Sequence, residues 1–358
     1  MFHRPNLDAI TPYTPGRAIQ DVVREFGVKN PIKLASNENP FGCPLSAAEL
    51  SEVITSAQLY PHQPSSRLFE TLSQRLGCSA DNLIFGNGSD EILQMLGLAF
   101  LNPTDEVLSS EHTFSEYEFV AKLMGVPFKT VPMNNFRYDL PGFLAAITPA
   151  TKLIFIANPN NPTGTCISHD ELAQFLAKVP EQVLVVVDEA YAEFVTDPTF
   201  PRSVELQNQF PNLVITRTFS KLFGLAGFRL GYAVASAKVL TWLKRVQQPF
   251  NVGSIALKAG ELALEKAGFI EKTLNNNQSE LKRFQAELPE LGFSILPTQA
   301  NFICALGTQD AKPLVEWLMT QGLIIRHLGS FGLPNAIRIT IGLPEQNERC
   351  LSLIRRRV

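Results

Sequence analysis

Lys221 stands in the run RTFSKLFGLAGFRLG (217–231), just after the apolar residues Leu213 to Ile215, with Thr218, Ser220 and Arg229 close by. Two hydroxyls, an amine and a guanidinium between a strand end and a glycine-broken segment make a clamp for an anion beside a reactive lysine. Taken singly, Lys221 and Arg229 also admit a plainer reading as solvated surface charges. Two further polar groups also follow apolar runs. NPNNPTG (158–164) comes after Leu153 to Ala157 and offers Asn161 as an amide donor. DEAY (188–191) comes after Val183 to Val187 and sets Asp188 and Tyr191 three residues apart. The first has a bland reading as a turn, and the second as a helix cap beside a core ring. Their joint occurrence, each just past an apolar run, is what points to chemistry.

The elements that must position these groups are legible as alternating patterns. From residue 105 to 235, short runs rich in Val, Ile and Leu alternate with helical stretches. That pattern predicts an α/β fold, a mostly parallel sheet covered by helices on both faces, with function gathered at the carboxyl ends of its strands. Upstream, Leu83 to Phe85 runs into GNGSDE, and a helix is predicted to start near Ser89. Ser89 or Asp90 can cap it, and its free N–H groups seat a phosphate. GNGSDE has no third glycine at the GxGxxG position, so a nicotinamide dinucleotide site is weakly supported. Beyond residue 250 the pattern changes to helices over Ser254 to Lys266 and Glu271 to Leu288, then strands in FSILPTQANFICAL and AIRITIG. This predicts three parts: an N-terminal arm (1–35) that returns to the small unit, a large unit (36–250), and a smaller α+β unit (251–358).

Composition bounds the partners. A chain of 358 residues at 45% hydrophobic can bury a large core, and a net charge of -3 gives no overall basic field for nucleic acid or an anionic membrane. The five cysteines are widely separated and odd in number, which argues against a disulfide framework or a structural metal site. With no signal-peptide pattern and no membrane-length apolar run, the expectation is a cytoplasmic protein acting on small molecules.

NPNNPTG, DEAY and TFSKLFGLAGFRLG together resemble the signature of fold-type-I pyridoxal-phosphate-dependent aminotransferases, over almost the whole chain. Within them the sequence is most similar to the histidinol-phosphate aminotransferases, through TPY (11–13), LASNENPFG (34–42), the YP at 60–61, GNGSDE, ANFI (300–303), IIRHLG (324–329) and AIRITIG. Aromatic amino-acid aminotransferases and a threonine-phosphate decarboxylase are similar in most of the same places and stand as alternatives. A non-catalytic regulator of the same fold is a more distant one, which the absence of a basic extension and the presence of Lys221 disfavour.

The resemblance implies a site. Pyridoxal 5'-phosphate would be carried covalently by Lys221, which also serves as the base. Asp188 would keep the ring nitrogen protonated, and Tyr191 and Asn161 would bond the phenolic oxygen. The phosphate would lie on the amides of Ser89 and Asp90, on Thr218 and Ser220, and on Arg229; Phe114 would stack on the ring. Tyr60 would reach across a homodimer to the neighbour's cofactor and substrate. Arg338 would hold the carboxylate of glutamate or 2-oxoglutarate and Arg326 the phosphate of histidinol phosphate, with Tyr13, Asn37 and Asn301 at the rim. The implied reaction converts histidinol phosphate and 2-oxoglutarate to imidazole acetol phosphate and glutamate. Two departures from the family pattern stand out. Leu222 follows the lysine where a small residue is common and is expected to narrow the pocket, and HTFSEY carries Phe114 where tyrosine is common.

Overall fold

The computed structural model describes residues 2–12, 16–61 and 67–357. The chain enters through α1 (Ile19–Phe26) and the short strand β1 (Ile32–Lys33), followed by α2 (Ala47–Thr55) and α3 (Arg67–Leu76). Strands and helices then alternate: β2 (Leu83–Asn87), α4 (Ser89–Phe100), β3 (Glu106–Ser110), α5 (Glu116–Met124), β4 (Phe128–Val131), α6 (Leu140–Ala146) and β5 (Thr151–Ala157). The alternation continues through α7 (His169–Leu176), β6 (Leu184–Asp188), α8 (Ser203–Gln209), β7 (Leu213–Thr218), β8 (Leu230–Val234) and α9 (Ala237–Val246). The last third holds α10 (Ser254–Leu264), α11 (Ala267–Glu290), β9 (Ser294–Ile295), β10 (Phe302–Leu306), α12 (Lys312–Thr320), β11 (Leu323–Ile324), β12 (Arg326–His327), β13 (Ala336–Thr340) and α13 (Pro344–Arg355).

The large sheet has seven strands in the order β2-β8-β7-β6-β5-β3-β4. Its pairings are parallel except those of β8, which runs antiparallel to β2 and β7. Successive strand side chains point to opposite faces, and both faces are apolar. Ile154, Ile156, Val185, Val187 and Ile215 pack under α6 and α7, with Phe143 and Phe175. Leu153, Phe155, Val186 and Val214 pack on the other side with Ile92 and Leu96 of α4, Val120 of α5 and Leu240 of α9. Full burial of such side chains stabilises by about 1.5–3 kcal/mol each. The buried sheet therefore gives its carboxyl-terminal edge a rigid floor.

A second, antiparallel sheet runs β12-β13-β10-β9, and β1 pairs with β11 in parallel. Phe284, Leu288, Ile303, Leu318, Ile337, Ile339 and Leu351 form its own core. Two details differ from the sequence reading. α10, expected in the small unit, buries Ala256, Leu257, Ala259 and Ala263 in the core of the large sheet. Gly260 explains how it fits: a Cβ there would lie 2.4 Å from Leu230. The N-terminal arm also divides. The turn Pro5–Ala9 sits on α5, where Asn6 Nδ2 donates to the carbonyls of Lys122 (2.8 Å) and Leu123 (3.0 Å). Further on, Val22 of α1 packs against Ala35 and against Ile324 of β11.

Candidate active site

A cavity of about 280 Å³ opens at the carboxyl ends of β6 and β7 and is closed from the other side by residues of the small sheet. Asp188 is the last residue of β6, and Lys221 lies three residues past the end of β7; both line the cavity. So do Tyr191, Asn161, Phe114, Ser89, Asp90, Thr218, Ser220, Arg229, Asn37, Arg326 and Arg338. The sequence scattered these residues over three hundred positions, and strand ends collect them.

One end of the cavity is built for an anion. The start of α4 has no side-chain cap: the N-cap is Gly88, at φ 79°, not Ser89 or Asp90. A side chain at Gly88 would collide with Arg229 Nη2, 2.4 Å away, and one at Gly231 would lie 2.4 Å from Ser89 N. Asp90 is not free to cap, because its Oδ2 accepts from Arg229 Nη2 at 3.1 Å. The first N–H groups of α4 thus remain available, next to a guanidinium. Arg229 also donates to Ser220 Oγ (3.4 Å), and Thr218 Oγ1 donates to the same oxygen (2.9 Å). Arg229 holds φ 54°, in the left-handed region that non-glycine residues seldom occupy, a mark of a functional position.

The floor carries a buried carboxylate. Asp188 is 4% exposed, and its side-chain bonds among the described residues come from two hydroxyls and no cation. Tyr117 OH donates to its Oδ2 and Thr216 Oγ1 to its Oδ1, each at 3.0 Å. Burial pushes its proton affinity up to about 6, the two hydroxyls holding it partly back. Lys221 Nζ donates to Ser36 O at 3.1 Å. Burial, helped by the charge of Arg338 and opposed by Asp90 and Glu38, brings its ammonium down to about 8, so a usable fraction is a neutral amine near pH 7. Tyr191 OH accepts from Asn37 Nδ2 at 2.9 Å, and burial raises its proton affinity too.

The opposite wall is basic. Arg326 and Arg338 are directly opposite on β12 and β13. Like charges so placed repel, which an anion between them would relieve. Arg338 Nη2 donates to Ala35 O (2.8 Å) and Nη1 to Asn161 Oδ1. Arg326 Nη2 donates to Ser330 Oγ (3.3 Å).

Two expected residues, Asn301 and Tyr60, do not line the cavity, and a third cannot be placed. Tyr13 lies outside the described residues. Asn301 is buried behind the rim, its Nδ2 donating to Asn37 O at 3.0 Å, so it braces a lining residue without lining the cavity. Tyr60 is 79% exposed and stacked on Phe250 at 4.6 Å, away from this cavity. Leu222 does not narrow the pocket. It is buried in the large core with Phe223, whose ring lies 4.9 Å from that of Phe219. Sequence reasoning missed Tyr117, Thr216, Glu38 and Phe331. Tyr117 was in view in HTFSEY, three residues past Phe114, and a helical spacing from Phe114 could have flagged it.

Residues 29–354 match the family described as aminotransferase class I and II, and the chain belongs to that family. It is accordingly a transaminating enzyme. The chain is 43% identical over 354 residues to the histidinol-phosphate aminotransferase of Moorella thermoacetica, covering 98% of this chain and 92% of that one. It is 40% identical over 344 residues to histidinol-phosphate aminotransferase 1 of Mannheimia succiniciproducens, covering 96% and 94%. Its fold matches the crystal structure of histidinol-phosphate aminotransferase from Sinorhizobium meliloti in complex with pyridoxal-5'-phosphate, with a TM-score of 0.91, 25% identity and coverage of 100% and 98%.

Proposed function

We propose that this enzyme is a pyridoxal-phosphate-dependent aminotransferase of histidine biosynthesis that exchanges the amino group of histidinol phosphate with 2-oxoglutarate. One observation carries the reading: a single cavity holds a lysine, a buried carboxylate without a cation, an anion cradle at one end and two paired arginines at the other. The residues present fit the cofactor. The uncapped start of α4, with Ser220, Thr218 and Arg229, would hold its phosphate, and the glycines at 88 and 231 keep that cradle open. Pyridoxal phosphate, when bound, supplies an aldehyde that joins an amine and a ring that withdraws electrons once its nitrogen is protonated.

The protein's own groups do the rest. Asp188, opposite no other cation, would meet the protonated ring nitrogen, and that charge would draw its proton affinity down from about 6. Lys221 holds a labile proton and, once neutral, takes one from a substrate carbon and returns it to another position. Tyr191 and the amide of Asn161 would donate to the phenolic oxygen, and Phe114, which lines the cavity, would cover one ring face. Arg338 orients a carboxylate common to both amino donors and oxo acids. Arg326, half-exposed beside it, suits the terminal phosphate of histidinol phosphate.

A homodimer completes the reading. Leu59, Tyr60 and Phe250 are large, exposed and adjacent, which fits an interface from which Tyr60 of one copy serves the other's site. The proposed parts are the arm (1–35), a large body over 36–250 against which α10 also packs, and a small body formed by the rest of 251–358.

The test offers histidinol phosphate, phenylalanine and tyrosine in parallel, each with 2-oxoglutarate, and measures glutamate formed. Histidinol phosphate should give the highest kcat/KM. Turnover of phenylalanine alone would reassign the substrate to an aromatic amino acid, and a protein that never turns yellow with pyridoxal phosphate would remove the cofactor.

A further inference from the structure

Tyr117 is fully buried at the first turn of α5, with no route to substrate. Its ring lies parallel to Phe155, 4.9 Å and 6° apart, and meets Phe114 edge-on at 5.7 Å and 89°. Its hydroxyl reaches Asp188 Oδ2 at 3.0 Å. One side chain therefore touches both the carboxylate on the cavity floor and the ring on the cavity wall. Phe155 on β5 fixes the tyrosine from below, so neither contact can slide without disturbing the sheet. The division of labour at Asp188 is complete: one oxygen takes Tyr117, the other Thr216, and the carboxylate cannot rotate without losing a bond.

We propose that Tyr117 is a positioning residue that couples Asp188 to Phe114, its hydroxyl pinning the carboxylate and its ring edge setting the tilt of the aromatic wall. The inference rests on the cofactor reading above and extends it to a residue outside the cavity. Without the hydroxyl, Asp188 would keep only Thr216 as donor, and its ionised form would lose stabilisation inside the protein. The other groups facing the pair do not replace it. Asp90 on α4 and Glu189, the residue just past β6, oppose ionisation, while Tyr138 and Tyr191 have hydroxyls engaged by Thr113 and Asn37.

The experiment uses the full chain, first without cofactor. The infrared carboxyl band of Asp188, isolated by difference against Asp188→Asn, is titrated with pH in wild type, Tyr117→Phe and Thr216→Val. Each variant should raise the midpoint by about one pH unit, and the two shifts should add. Pyridoxal phosphate is then titrated by absorbance. Tyr117→Phe keeps the ring and should weaken binding about tenfold, and Tyr117→Leu, which removes the edge beneath Phe114, should weaken it about tenfold more. A lower melting temperature with an unmoved Asp188 midpoint would mean packing alone and overturns the proposal. If Tyr117→Phe does not fold, the midpoint is read in Tyr117→Leu, which also lacks the hydroxyl, and an unmoved value there overturns the proposal equally. A wild type that takes up no pyridoxal phosphate overturns the cofactor reading and this proposal with it, whereas normal uptake with unmoved midpoints overturns this proposal only.

Discussion

Asp188 and Glu189 are neighbours at the end of β6, both buried, and they are treated in opposite ways. Glu189 points to a closed ion pair: its Oε2 accepts from Arg217 Nε at 2.9 Å and Nη2 at 2.7 Å, and Ser203 Oγ donates to its other oxygen. Asp188 faces the cavity and has two hydroxyls and no cation. Glu189, the first residue past β6, turns its carboxylate to Arg217 and away from the cavity that Asp188 lines. One charge is paired with a guanidinium inside the protein, and the other is held among the described residues by hydroxyls alone. Buried charges are tolerated when paired; an unpaired one at a strand end marks where the molecule expects a partner.

That contrast can be broken, beginning with the largest effect. Lys221→Ala removes the amine that the Asp188 side serves, and transamination should fall by at least about 10³-fold while the melting temperature stays near that of wild type. Retained turnover would show that the cavity face is no more reactive than the Glu189 face. On the closed face, Arg217→Met leaves Glu189 buried without its cation and should cost about 3–5 kcal/mol in denaturant unfolding. A loss below about 1 kcal/mol would mean that the pair is not what holds that side.

Asp188→Asn sharpens the comparison from the other direction. The folded protein without cofactor binds a proton at Asp188 up to about pH 6, whereas the unfolded chain releases it near 3.8. The folded state therefore holds more protons in that window, and stability falls as pH rises through it. Above pH 6 the buried carboxylate costs about 3 kcal/mol, so Asp188→Asn should be as stable as wild type or more so at pH 7, with cofactor function lost. Lys221 gives the reverse slope. Its depressed pKa means that the unfolded chain holds more protons between about 8 and 10.5, so this group's contribution makes stability rise with pH there, a trend that Lys221→Ala should erase. The smallest effect is expected at Arg326, where Arg326→Gln should raise KM for a phosphorylated donor about tenfold and leave KM for 2-oxoglutarate nearly unchanged.

Much of this site was legible in the sequence because strand ends are legible. Apolar runs located β5, β6 and β7, and the polar residues just past them had nowhere to go but the rim. What stayed hidden is contact between distant segments. Arg338 and Asn161 are 177 residues apart, and Lys221 and Ser36 are 185 apart. Neither pairing leaves a periodic trace. The cap of α4 was misread for a related reason: Ser and Asp are strong capping residues locally, yet Arg229, 139 residues away from Asp90, claims that carboxylate. Tyr60 could be read only as a motif, since its surroundings in the single chain are solvent and Phe250. The position of α10 was lost because its small apolar residues suit either core, and only the close approach at Gly260 decides.

The bonds lining the cavity also join the two sheets. Asn37 and Arg338 arrive from the small-sheet side and grip Tyr191 and Asn161 on the large one, while Lys221 holds Ser36. An incoming carboxylate that recruits Arg338 must compete with Asn161 and the Ala35 carbonyl for the same guanidinium. Binding of such a carboxylate and the bond that ties the small sheet to Asn161 therefore draw on one and the same guanidinium.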